Sequence, residues 1–246
     1  MNLACDADGA PTLLVKGGAS LELRRGIPES RTSKDLDAVI RGDIATVYER
    51  LADAGADGWE GFTATFTAPV AFEVPGMVGK PHRLTAKLAY QGKPFVSVPI
   101  EISPIEAGNA EEFDTVSSDA LTLVGVSESV AVPCMTLPWQ IAQKIHACTE
   151  PVEAPRTNDR ARDLVDLQLL EALTVDDSLA DTDAASRAVF EARGKHAWPP
   201  TLVVQSGWDV IYVRALEGLE SIGLAADLDE AIVRVQGFID RIAASR

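Results

Sequence analysis

The sequence predicts an α+β protein, with a mixed strand-and-helix core over residues 1–135 followed by a helical C-terminal region over residues 136–246. Three observations carry that expectation. Alternating apolar residues, as at Phe62, Ala64 and Phe66, occur in the first half of the chain and read as half-buried strands. From Pro138 onward helical spacing takes over, with Ile141, Ile145 and Cys148 on one stripe. Near the front, the apolar run Leu13, Leu14 and Val15 stops at Gly17 and Gly18, where the backbone can turn sharply into a helix.

Composition narrows the class before any motif is read. An apolar content of 46% with 24% charged residues is ordinary for a folded globular chain, and 246 residues suffice for one domain or two closely packed ones. No apolar run approaches the roughly 18 residues of a membrane span, and no basic-then-apolar leader opens the chain, so a cytoplasmic protein without a membrane partner is expected. Cys5, Cys134 and Cys148 cannot all pair and lack metal spacing, so they read as reduced thiols, none a good nucleophile. The net charge of −15, from 22 basic and 37 acidic residues, argues against nucleic-acid binding over the whole surface. A local groove stays open to it, because basic residues cluster at Arg24, Arg25, Arg31 and Lys34, at Lys80, His82, Arg83 and Lys87, and at Arg156, Arg160 and Arg162.

Taken in order, the glycine pair begins a short helix with Ser20 in its first turn. A helix N-terminus presents free N–H groups and positive partial charge, which suits a phosphate. The run is not a Walker A loop, which places Lys and Ser/Thr directly after the second of two more widely spaced glycines. In SKDLDAVI, Asp35 and Asp37 lie two apart on an expected strand, so both carboxylates project from one face while Leu36 packs on the other. Such a pair repels unless a cation sits between, and its oxygen-only donors suit a hard ion such as Mg²⁺. The plainer alternative is a solvated Asp pair at a strand edge. If the strand extends back to Ser33, that hydroxyl shares the same face; otherwise Ser33 is a turn residue.

From Asp43, a potential N-cap, DIATVYERLADAGA reads as an amphipathic helix with Ile44, Val47, Tyr48 and Leu51 inward and Gly55 at its end. A hairpin is expected from Arg83 to Ile102, turning at Gln91, Gly92 and Lys93. Its second strand carries Glu101 among apolar neighbours, costly there if buried without a partner and ordinary if it faces outward. Residues 104–129 read as an acidic loop with a short strand at Leu121–Val124. A strand then leads into a helix near Pro138, a good first-turn residue, with Lys144 one position off the inner stripe. The next helix, RARDLVDLQLLEAL, places Leu164, Leu167 and Leu170 inward and Asp163 and Asp166 one turn apart on another face. Three further helical stretches follow, the last capped by Asp227 or Asp229. Trp198, Trp208 and Tyr212 suit packing between them, with base stacking as the alternative.

Two runs together carry a family resemblance. Lys16, Gly17, Gly18, Leu21 and Leu23 form KGGxxLxL, and after an interval containing Gly26 and Pro28, Arg31, Ser33, Asp35, Leu36 and Asp37 form RxSxDLD. Lys144 on a helix is followed by R-x-x-D-L-x-D-L from Arg160. The combination, spread over most of the chain, resembles the AbiEii toxins of the DNA polymerase β-like nucleotidyltransferases. The resemblance implies a polymerase β-like core with a mixed sheet, and Mg²⁺-dependent transfer of a nucleoside monophosphate from an NTP with release of pyrophosphate. By the same resemblance Asp35 and Asp37 hold metal, with Glu101 as a third acid on a neighbouring strand. Lys144 and Asp163 stand at the nucleotide site beside Arg160 or Arg162, and Gly17, Gly18, Ser20 and Ser33 join Lys144 in holding the NTP. A toxin with a cognate antitoxin follows, acting on an RNA acceptor such as a tRNA 3′ end. A protein acceptor is the alternative enzyme, and a non-catalytic interaction module the alternative class, although clustered carboxylates are of no use to a scaffold. The family has a helical lead-in before the glycine motif, so an earlier start than the present one is also expected.

Overall fold

The computed structural model of the protein describes residues 5, 9–26, 29–74, 77, 79–118, 130–153, 155–174 and 179–245. Pro28 and the strand expected at Leu121–Val124 lie outside the described residues. Contacts group the chain into two units, Met1–Arg24 with Thr32–Met135, and Arg25–Arg31 with Thr136–Arg246.

The first unit is built on one mixed sheet. Among the described residues its strands are β1 (Leu13–Lys16), β2 (Leu36–Ile40), β3 (Phe62–Phe66), β4 (Val70–Ala71), β5 (His82–Tyr90), β6 (Lys93–Ser103), β7 (Asp114–Ser118) and β8 (Val130–Cys134). Their order is β3-β5-β6-β2-β1-β8-β7, with β4 on β5. The pairs β1–β8 and β2–β6 are parallel and the others antiparallel. Helix α1 (Gly17–Arg25) follows β1 without a loop, and α2 (Ile44–Asp57) follows β2.

One sheet face is apolar and carries α2. Val47 and Leu51 pack with Ile40, Leu84, Ala86, Ile100 and Ile102, and Ile44 and Phe66 close the margin. Asp43 caps α2 as expected, its carboxylate accepting from Thr46 N at 2.9 Å and so satisfying one of the free N–H groups of the first turn. Gly55 does not end the helix, which runs to Asp57 with Gly58 as its cap at φ +73°. A Cβ at Gly55 would lie 2.6 Å from the Ala64 carbonyl, so this glycine allows close approach of α2 to β3. The β5–β6 hairpin turns at Gln91 and Gly92, both at positive φ as a tight hairpin turn requires. Strand β7, in the stretch expected to be loop, pairs with β8 along its whole length, and its mostly polar residues, DTVSS, hid it from a hydrophobic pattern.

The second unit is helical: α3 (Leu137–Thr149), α4 (Arg162–Leu173), α5 (Ala180–Arg193), α6 (Trp208–Leu216) and α7 (Leu228–Ala244). Helix α4 is its axis, with every residue from Asp163 to Leu170 buried. A helix enclosed on all sides needs apolar residues all round, which Leu164, Val165, Leu167, Leu169 and Leu170 supply. Trp208 and Tyr212 are fully buried and serve packing: the indole donates to the Asn158 carbonyl at 2.6 Å, and the Tyr212 hydroxyl donates to the Ala225 carbonyl at 2.8 Å. Asp227, rather than Asp229, caps α7 by accepting from Glu230 N at 2.9 Å. No helix among the described residues is long and apolar enough to cross a membrane.

Candidate active site

The first cluster lies on the sheet face opposite α2. Lys16 pairs in register with Asp37, and Asp37 with Glu101, so the three side chains stand abreast on neighbouring strands. Gly17 is at φ +65°, and a Cβ there would lie 2.7 Å from Asp37 Oδ2. Only glycine fits against that side of the carboxylate, which explains the first glycine of the pair. Lys16 Nζ donates to Ser103 Oγ at 2.9 Å on the same face.

Several expectations change here. Strand β2 begins at Leu36, so Asp35 and Ser33 precede it rather than lie within it. Asp35 is exposed, while the Ser33 hydroxyl donates to the Asp35 carbonyl at 2.8 Å and the Ser33 amide donates to Glu22 at 3.2 Å. Ser33 is therefore a turn residue, the local side-chain bond having outcompeted strand extension. Ser20 is fully buried instead of facing a phosphate, packed beside Arg24 and Cys134. Burial raises the Cys134 thiol pKa, with the Ser20 hydroxyl and the Arg24 charge opposing part of the rise.

Glu101, expected as a third metal ligand, accepts from Arg83 Nε at 3.0 Å and Nη2 at 2.5 Å. The hairpin register sets the two directly opposite, and the guanidinium also lies 4.8 Å over the Phe72 ring. No three His, Cys, Asp or Glu side chains group to hold a metal among the described residues. Asp37 with Asp35 still offers the oxygen donors of a hard divalent ion, which commonly keeps several waters and takes only one or two protein carboxylates.

The second cluster belongs to the helical unit. Lys144 of α3 donates to Asp163 Oδ1 at 3.0 Å and Asp166 Oδ2 at 2.6 Å. Arg31 grips Asp166 in bidentate fashion, both bonds at 2.7 Å. Two carboxylates and two cations make the set neutral. Burial alone would raise the Asp166 pKa, but Lys144 and Arg31 outweigh it and hold the carboxyl below its usual range. Burial likewise works against charge on Lys144, and Asp163 and Asp166 overcome it to raise its pKa. Lys144 is thus a held, protonated ammonium with two of its three donors in use.

Sequence reasoning placed Asp163 and Asp166 on one helix face but missed that Asp166 ties Lys144 to Arg31. A signal was present: α4 is apolar nearly all round, so an Asp within it has to be buried and therefore paired. The basic clusters also resolve differently. Arg24 pairs with Asp114 at 2.6 Å and donates to the Met135 carbonyl, and Arg25 pairs with Glu29, so with Arg31 these three face carboxylates rather than an open groove. Lys87, Arg156, Arg160 and Arg162 are exposed.

Comparison with known proteins agrees with the motif reading. Residues 3–235 match the family model described as the AbiEii nucleotidyl transferase toxin of type IV toxin–antitoxin systems. No curated protein sequence matches the chain. Among solved structures the chain is similar to the MenT4 nucleotidyltransferase toxin of Mycobacterium tuberculosis, at 16% identity and a TM-score of 0.48, covering 94% of this chain and 84% of that one.

Proposed function

Because the chain belongs to the AbiEii family of nucleotidyltransferase toxins of type IV toxin–antitoxin systems, we propose that it transfers a nucleoside monophosphate from an NTP to an RNA acceptor, such as a tRNA 3′ end, in the cytoplasm. A nucleotide substrate and a cognate antitoxin come with the family. The observation that carries the proposal is Asp37, set in register between Lys16 and Glu101 and packed so closely on Gly17 that a side chain there would collide with its carboxylate.

Asp35 and Asp37 would hold Mg²⁺, with Glu101 joining only on release from Arg83. Bound there, the ion supplies charge neutralisation to the transferring phosphoryl group and the departing pyrophosphate. Gly17 and Gly18 offer the first N–H groups of α1, whose first turn has no acidic side chain to oppose an anion. Lys144 offsets polyphosphate charge, and Asp163 with Asp166 keeps it protonated and aimed. Ser20 is buried beside Arg24 and Cys134, and Ser33 fixes the turn that presents Asp35. The acceptor hydroxyl oxygen bonds to the α-phosphorus as the bond to the bridging oxygen breaks, and its proton is released. In the helical unit the exposed Arg156, Arg160 and Arg162 favour a polyanionic acceptor over a protein.

Radiolabelled NTPs incubated with Mg²⁺, total RNA and total protein test the reading. Label is expected in RNA and absent with Asp37→Asn. Label confined to protein would establish protein nucleotidylation instead, and label in neither fraction would favour a non-catalytic module.

A further inference from the structure

A row of charge crosses four neighbouring strands. Lys16 on β1, Asp37 on β2, Glu101 on β6 and Arg83 on β5 are each in register with the next, so their side chains project from one face in the order cation, carboxylate, carboxylate, cation. Like charges directly opposite one another destabilise a sheet, and the outer cations offset that repulsion between Asp37 and Glu101. The two cations are held differently. Lys16 donates to Ser103 Oγ, two residues beyond Glu101 on the same strand. Arg83 places both Nε and Nη2 on a single oxygen, Glu101 Oε1, whereas Arg31 in the helical unit takes both oxygens of Asp166. Glu101 Oε2 therefore lies outside the Arg83 pair, and water reaches both partners. The Phe72 ring beneath the guanidinium gives Arg83 a second seat that does not depend on Glu101.

We infer that Arg83 is a built-in counter-ion of the carboxylate row, competing with a divalent ion for Glu101 and so setting how tightly the site beside Asp37 takes metal. The inference rests on the metal reading of Asp35 and Asp37 above and adds a residue that regulates it. An exposed ion pair is weak enough to be exchanged, and a doubly charged ion attracts a carboxylate more strongly than a guanidinium does at the same distance. Arg83 displaced from Glu101 keeps its contact with Phe72, so the exchange requires a side-chain shift and no change of strand register.

Titration of the full-length chain with Mn²⁺, a hard ion of the same oxygen-ligand class as Mg²⁺, followed by electron paramagnetic resonance of the free ion, reads the competition without any turnover. Arg83→Gln should tighten Mn²⁺ binding about three- to fivefold, the worth of releasing one exposed pair. Arg83→Lys, which keeps the charge, should stay within about twofold of the unaltered chain. In a Glu101→Gln background the further change Arg83→Gln should alter the dissociation constant by less than about twofold, because no pair is left to release. Working at physiological salt matters, since Asp37 is two strands from Arg83, about 10 Å by strand spacing, and a bare charge at that range is largely screened. No gain from Arg83→Gln, or the same gain with and without Glu101, would overturn the counter-ion role. If Asp37→Asn abolishes Mn²⁺ binding in the same titration while Arg83→Gln leaves it unchanged, the metal reading stands and only the role of Arg83 falls; binding indifferent to Asp37→Asn removes both.

Discussion

The two acidic clusters differ in how their charge is satisfied. On the sheet, Glu101 is matched by a surface guanidinium that is 59% exposed, and Asp35 is exposed. In the helical unit, Asp166 is wholly enclosed and receives three charged hydrogen bonds from Arg31 and Lys144. An exposed ion pair contributes about 0–1 kcal/mol and exchanges readily for a ligand, whereas removing one partner from a buried pair costs about 3–5 kcal/mol. The exposed sheet pair can therefore exchange partners, whereas the buried helical cluster holds one side chain in place.

The sharpest break of that contrast is Asp166→Ala. Leaving Lys144 and Arg31 without their shared carboxylate should lower unfolding free energy by about 3–5 kcal/mol, read from urea midpoints. A loss below about 1 kcal/mol would mean that the helical cluster behaves like a surface pair. Asp37→Asn should do the reverse: transfer falls at least about a hundredfold, roughly 2.7 kcal/mol of barrier, while the urea midpoint holds or rises as carboxylate repulsion is relieved. Retained turnover would remove Asp37 from the metal site.

Lys144→Ala joins the two behaviours. Transfer should drop more than about tenfold, or about 1.4 kcal/mol, when assayed at a temperature where circular dichroism shows the variant folded. Stability should fall as well, because Asp163 and Asp166 lose a cation. Normal turnover in the folded variant would confine Lys144 to structure.

A gradual effect, spread over several pH units, comes from His146, buried in the helical unit against Phe190 and His196. Arg193 donates to its Nδ1 at 3.2 Å. Burial first, then the charges of Arg193, His196 and Lys195, lower its pKa from 6.5 to about 3. The unfolded chain therefore takes up the proton first as pH falls. The stabilisation is complete above about pH 6.5 and is lost toward pH 3, with a slope of up to about 1.4 kcal/mol per unit. Asp166, whose pKa is depressed, adds a further loss only below about pH 4, its unfolded value. His146→Phe should flatten the decline between pH 6.5 and 4 in thermal melts; an unchanged profile would show that His146 does not govern it.

Much of this architecture was legible because it is local. Asp43 and Asp227 cap helices three residues away, Gln91 and Gly92 turn a hairpin in place, and the KGG and DLD runs bring glycine and carboxylate together across one strand pair. Those features depend on backbone propensity and short spacing, which a sequence displays directly. The illegible features are pairings over long separations. Arg31 lies 135 residues from Asp166, so nothing in either segment marks which cation meets which acid. Ser20 likewise looked available until the strand register and Cys134 enclosed it.

The family, the order of strands then helices, and the chemical types at the site follow from residue identity and period. Tertiary structure alone decided which carboxylates stay open and which are neutralised. That choice depends on register and burial, which set the desolvation cost of each charge and the partner that offsets it.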